Sequence, residues 1–193
     1  VWSSVMEVLY SKPLVGYKLE SGMLWEHSLA AAVIGKYLAK TFKLRDPESF
    51  YVSGLLHDVG KLILNIYLPV EFSNIIALVE EGKTFAEAER KILGYDHAQV
   101  GGIICDKWQL PEVIVEGVKY HHTPKLGSQS SHITHLANAM ALMLGHGTMG
   151  VATMAASLDE EILSLYVPSE DQWFDLLEKA EEQVMLALHA SKY

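Results

Sequence analysis

The sequence predicts an all-α domain, and three observations carry that reading. Apolar residues recur at helical spacing along nearly the whole chain, while strand-like alternation is almost absent. Helix start and stop signals punctuate the pattern. Half of the 193 residues are hydrophobic, enough for one domain (1–193) with a sizeable core and too many for a disordered chain.

The first helix is expected over about 1–11, with Val1, Val5, Val8 and Leu9 on its apolar face, ended by Pro13 and Gly16. A second runs from about Leu24 to Phe42 and carries His27. In "RDPESF" Asp46 reads as the N-cap and Pro47 as the first helical residue of a third, which continues through Leu56 toward Asp58. A short helix starts near Pro69 and stops at Gly82. "TFAEAERKILG" is the cleanest signal: Thr84 and Glu87 form a capping box and Gly94 is the stop. Asp96 caps the next helix, with His97 in its first turn. Pro111 opens another, whose last turn holds His121 and His122 before Pro124. After a loop over 123–131, Ser130 or Ser131 caps a helix bearing His132, His135 and Asn138. Gly145, Gly147 and Gly150 end it, a possible seam before a C-terminal helical pair over 151–193, where Ser169 and Gln172 form another box.

Composition removes several function classes. No apolar run reaches the roughly 20 residues of a membrane span, and "VWSSVMEVLY" is amphipathic, unlike a secretory leader. The chain does not begin with methionine and is read as a piece of a longer protein. The single cysteine, Cys105, excludes an internal disulfide, fits a cytoplasmic location and reads as an inert core residue. A net charge of −9 without any cluster of Lys and Arg opposes nucleic-acid binding and suits protein partners.

"SGLLHDVGKLIL", residues 53–64, reads as a buried helix that nevertheless carries His57, Asp58 and Lys61. Uncompensated polar groups in an apolar interior cost roughly 2–7 kcal/mol each, so hydrogen bonds or a metal ion must offset them. His27, the His57–Asp58 pair, His97 and the His121–His122 pair form the candidate set, several of them at helix ends, where side chains face pockets. Imidazole with carboxylate suits Fe, Mn, Zn or Ni, one ion or two. Two ions about 3.5–4 Å apart would clamp a phosphate, and Lys61 would meet a phosphate oxygen as a point charge. Plainer readings stand beside these. Adjacent histidines at a helix end also offset its dipole. Asp58 fits a turn before Gly60, and Lys61 a solvated side chain. His132, His146 and His189 read as carbonyl-bonded or exposed, and His135 as either a brace for a ligand or a core residue.

The order H…HD…H…HH, with "HDVGK" itself, resembles the HD superfamily of metal-dependent phosphohydrolases. "LWEHSLAAAVIGKYLA", "GLLHDVGKLIL", "ERKILGYDHAQVGGIICDKWQLPEVIVEGVKYHH" and "HLANAMAL" resemble more closely the HDOD domain, a bacterial signalling module related to HD-GYP phosphodiesterases, over about residues 24–144. The resemblance implies a helical bundle with a metal pocket between helices. It carries the HD pair onto His57 and Asp58, the first histidine onto His27, the added ligands onto His97, His121 and His122, and the following lysine onto Lys61. The last ligand falls on Asn138, where an active site has aspartate; an amide brings no charge and is a poorer base. "HHTPKLG" replaces the GYP motif, and further helices usually precede this segment in the family. Two readings follow. One is a regulatory domain that binds one or two divalent metals and acts through protein partners. The other is an active phosphohydrolase or phosphodiesterase acting on a nucleotide or cyclic dinucleotide, with Asp58 and Lys61 as catalytic residues. A purely structural scaffold explains the helices but not the histidines.

Overall fold

The structure, a computed structural model, describes residues 2–147 and 158–191, with side chains from residue 6 onward. Among the described residues the chain forms α1 (Trp2–Tyr10), α2 (Met23–Thr41), α3 (Pro47–Leu56), α4 (Val59–Tyr67), α5 (Phe72–Glu80), α6 (Phe85–Leu93), α7 (His97–Lys107), α8 (Glu112–Tyr120), α9 (Gln129–Met143), α10 (Glu160–Tyr166) and α11 (Glu170–Ala190). No strand forms among them; a single bridge joins Leu14 to Leu19. The all-α expectation holds.

Two apolar clusters hold the helices together. One gathers Met6, Tyr10, Leu55, Leu56, Val59, Ile75, Cys105 and Val118. The other gathers Ile34, Leu38, Phe50, Ile133, Leu136, Met140, Ala180 and Val184. Each fully buried aliphatic or aromatic side chain contributes about 1.5–3 kcal/mol. Helices α2 and α3 feed both clusters, and α11 packs along α2.

The strongest local signals fold as read. The Thr84 hydroxyl accepts the Glu87 N–H at 3.1 Å while the Glu87 carboxylate accepts the Thr84 N–H at 2.8 Å. Asp96 and Gln99 make a second such box. At Ser169 only half of the expected box forms: its hydroxyl accepts the Gln172 N–H.

Other boundaries differ. "SGLLHDVGKLIL" is not one helix: α3 stops at Leu56 and α4 starts at Val59, leaving His57 and Asp58 at the junction. In α1 the buried residues are Met6 and Tyr10, whereas Val8 and Leu9 are exposed; Val1 and the Val5 side chain lie outside the described residues. The i, i+4 pair carrying the aromatic ring faces the core in place of the smaller Val8. The fifth helix starts at Phe72 rather than near Pro69, after a turn over 69–71. Asp46 holds the N-cap position of α3 but does not cap the backbone; its carboxylate accepts the Ser49 hydroxyl instead. Ser128, not Ser130 or Ser131, precedes α9, because the Ser130 hydroxyl donates to the Val113 carbonyl and that of Ser131 to Ser128 and Pro124. Gly150 and residues 151–157 lie outside the described residues.

One glycine sets the geometry of the pocket. A Cβ on Gly60 would lie 2.0 Å from the His97 carbonyl oxygen and 2.9 Å from the Gly101 nitrogen. Only glycine lets α4 and α7 approach this closely. The approach carries Asp58, two residues earlier, beside His97.

Candidate metal centre

His57 and His121 use the same local device. Each follows directly on a helix, where the last carbonyls lack backbone partners. The Nδ1–H of His57 donates to the Gly54 carbonyl and that of His121 to the Val118 carbonyl, both at 2.7 Å and both three residues back. A carbonyl only accepts, so Nδ1 carries the proton and Nε2 presents a lone pair. Histidines that bind metals are commonly oriented this way.

Two groups of three candidate ligands result among the described residues. In the first, His27 of α2 joins His57 and Asp58; in the second, His97 of α7 joins His121 and His122. Within each group the ligand atoms lie within 4.8 Å of one another. Asp58 links the groups: its Oδ2 is 3.4 Å from His57 Nε2 and 3.8 Å from His27 Nε2, while its Oδ1 is 3.2 Å from His97 Nε2. Asn138 of α9 adds its Oδ1 3.0 Å from His27 Nε2. All six of His27, His57, Asp58, His97, His121 and Asn138 are buried, and His122 is half-buried. Every residue expected in the site is therefore in one place.

The donor set fits a cation. His27 Nδ1 faces the His146 carbonyl at 3.3 Å, and the tautomer that donates there leaves a lone pair on Nε2, like that of His57. These two Nε2 atoms stand 3.2 Å apart, with Asn138 Oδ1 beside them. Acceptors converging without donors repel unless a positive charge lies between them. His97 and His122 bring their Nε2 atoms to 2.9 Å, and the buried Nε2 of His121 has no hydrogen-bond partner among the described residues.

Burial pushes His27 down to about 3 and holds His121 and His122 well below the ordinary histidine value. Neutral imidazole is the form that binds a metal. Burial alone would raise Asp58, but neighbouring His57 and Lys61 outweigh it and keep the carboxyl well below its usual range. Burial would also lower His97; the Glu89 carboxylate overrides it and lifts the ring to about 9.

Lys61 lines the pocket, but its Nζ is 2.7 Å from Asp58 Oδ2 and is engaged there. The free space at the centre is about 70 Å³. That holds ions and a few waters, whereas sites for drug-sized ligands run to roughly 300–1,000 Å³.

Sequence reasoning passed over two supports, Glu89 and Tyr17. Glu89 is completely buried and accepts both the backbone N–H and the Nδ1–H of His97 at 2.7 Å. Tyr17 donates its hydroxyl to the other Glu89 oxygen at 2.7 Å. A signal for Glu89 existed: it occupies the apolar stripe of α6 that also carries Ala86. His135, left open as brace or core residue, is a brace: its Nδ1–H donates to the His121 carbonyl at 2.7 Å and its Nε2 accepts the Asp159 N–H at 3.0 Å. His132 meets the Tyr166 hydroxyl at 3.1 Å. Cys105 is buried, and burial pushes its thiol up to about 12, as expected of an inert core residue. Among the described residues no helix is long and apolar enough to cross a membrane.

Comparison with known proteins agrees with this architecture. A provisionally assigned signal transduction protein from Marinobacter aquaeolei VT8 superposes with a TM-score of 0.68 at 18% identity, covering 90% of this chain and 42% of that one. A provisionally assigned phosphohydrolase from Shewanella amazonensis SB2B gives 0.64 at 23% identity, covering 83% and 60%. An HDOD domain protein of unknown function from Geobacter sulfurreducens gives 0.63 at 24%, covering 94% and 68%. An uncharacterized protein of Treponema pallidum is 28% identical over 81 residues, which span 37% of this chain and 14% of that protein. These identities establish the fold alone, and the chain spans less than two thirds of the Treponema, Marinobacter and Shewanella proteins. The family profile of the HDOD domain matches residues 1–124, which include α1 and every candidate ligand except Asn138. With two histidine groups joined through the HD aspartate and a match over most of its length, this chain belongs to the HDOD domain family.

Proposed function

We propose that this chain is a regulatory HDOD module that binds one or two divalent metal ions between α2, α4, α7, α8 and α9 and signals through protein partners. The observation that carries the reading is the convergence of the Nε2 atoms of His27, His57 and His97 on Asp58, the first two only 3.2 Å apart, with His121 and His122 grouped around His97. His27, His57, Asp58 and Asn138 would hold one ion, and His97, His121 and His122 the other, with Asp58 shared. Asn138 favours regulation over catalysis: an amide supplies neither the charge nor the basicity of a carboxylate. The narrow pocket and the engagement of Lys61 by Asp58 point the same way. The net charge of −9 suits protein partners better than nucleic acid.

The alternative is metal-dependent hydrolysis of a phosphate ester or diester, and the placement of Lys61 at the pocket favours it. A bound divalent ion supplies Lewis acidity to a phosphoryl oxygen and acidifies a water. In that reaction Lys61 would turn from Asp58 to a phosphate oxygen, and the buried rings would orient the ligand set and exclude bulk water.

Elemental mass spectrometry of the purified protein, with titrations of Zn, Ni, Fe and Mn, tests the proposal. One or two equivalents are expected. None under any loading condition overturns it. Turnover of a panel of phosphodiesters by the loaded protein would favour the alternative.

A further inference from the structure

The orientation of His27 has a different origin from that of His57 and His121. Those rings are set by a carbonyl of their own helix. His27 Nδ1 instead faces the carbonyl of His146, 119 residues further along the chain. His146 sits in the turn after α9, between Gly145 at φ +84° and Gly147 at φ +72°. The turn lies directly on α2. A Cβ on Gly147 would come within 2.4 Å of the Met23 carbonyl oxygen and 2.7 Å of the His27 nitrogen.

The His146 ring points the other way and is gripped by two carboxylates. Its Nε2 is 2.7 Å from Glu181 Oε2 on α11, and its Nδ1 is 3.4 Å from Glu26 Oε1 on α2. The ring is buried although both carboxylates are partly exposed. Glu181 thus holds the residue whose carbonyl holds His27.

We propose that residues 145–147 form a clasp through which α11 positions His27, with His146 and Glu181 as positioning residues. The clasp deepens the metal reading above and rests on it for its function. It makes the first ion position dependent on how α11 is seated, while the second, built from rings anchored on α7 and α8, is independent of α11. A partner that shifts α11 would change the affinity of one ion and not the other.

The test uses the whole chain and two readouts. Long-range ¹H–¹⁵N correlation of the histidine rings in metal-free protein reports which nitrogen of His27 carries the proton. Calorimetric titration with Mn²⁺ reports ion affinity. Wild type and Glu181→Gln, which keeps an oxygen acceptor for His146, are expected to show His27 protonated on Nδ1. In Glu181→Ala the His27 signals should become a tautomer mixture, those of His57 and His121 should stay unchanged, and one of two ions should bind about tenfold more weakly. Gly147→Ala should reproduce the effect by forcing the turn off α2. If Glu181→Ala leaves the His27 tautomer and both affinities as in wild type, the clasp is wrong. Equal weakening of both ions with an unchanged His27 tautomer also overturns it, since that marks general loosening. If wild type binds no ion but its tautomer responds to Glu181→Ala, the clasp stands and the metal reading fails.

Discussion

Glu89 and His97 form a pair with almost no exposure to solvent: one carboxylate oxygen accepts both the backbone N–H and the ring N–H of His97, each at 2.7 Å. Burial alone would raise the Glu89 carboxyl. The charge on His97 and the hydrogen bonds from His97 and Tyr17 outweigh it and hold the acid below its usual range. Removing one partner of a buried pair strands the other and costs about 3–5 kcal/mol. Glu89→Ala is therefore expected to lower stability by that order in urea melts of the metal-free protein. It should also weaken the ion at His97, His121 and His122 about tenfold or more. Wild-type stability in this variant would show that the pair is not coupled to folding.

His57 belongs to the first group and also takes the Gly54 carbonyl at the end of α3. His57→Ala should lower metal content and thermal stability together. A variant that kept both would show that the ring only fills space.

Asn138→Asp places a charge 3.0 Å from His27 Nε2, where the amide oxygen now lies. Calorimetry should show the first ion binding roughly tenfold more tightly, about 1.4 kcal/mol. If phosphodiester cleavage also appears, the amide is what separates this chain from a catalyst. Unchanged affinity would remove Asn138 from the ligand set.

Stability should depend on pH in a defined direction when metal is chelated. His27, His121, His122 and His135 are all depressed by burial. The unfolded chain takes up protons at these positions that the folded chain refuses. Their contribution is therefore full above the unfolded value of about 6.5 and is lost as pH falls below it, by up to about 1.4 kcal/mol per pH unit for each ring. His97 behaves oppositely. Raised to about 9, it stabilises fully below about 6.5, and the gain is lost as pH rises toward 9. Urea midpoints should fall steeply from pH 7 to pH 5, and a flat profile would contradict the burial of these rings as neutral groups.

Gly60→Ala should be among the most damaging single-methyl changes in the chain. Its Cβ would meet the His97 carbonyl oxygen at 2.0 Å, and a backbone atom cannot rotate away. Overpacking of this kind costs about 1–3 kcal/mol or more, and here it would also pull Asp58 from His97. Crystallography or a loss of metal affinity along with stability would register the shift.

The fold was legible because helix signals are local. The box at Thr84 and the cap at Asp96 sit within four residues of their partners and formed as read, Gln99 completing a box at the second. Readings failed where a distant contact took over a local group. The Ser130 hydroxyl went to the Val113 carbonyl of α8 rather than to its own helix. Met6 and Tyr10, not Val8, were selected by the core.

The same division holds for the site. The sequence by itself determined the inventory: the six histidine and aspartate positions of the HD pattern, Lys61, and the substitution of an amide at Asn138. It also determined the device that turns His57 and His121, since each donates to a carbonyl three residues away. Only the tertiary structure decided which lone pairs meet. His27 reaches His57 across 30 residues and Asn138 across 111, His97 rests on a glutamate of another helix, and His146 ties His27 to α11. Helical periodicity says which face a side chain occupies, but the distance between two faces is set by how helices pack, down to the methyl group missing from Gly60.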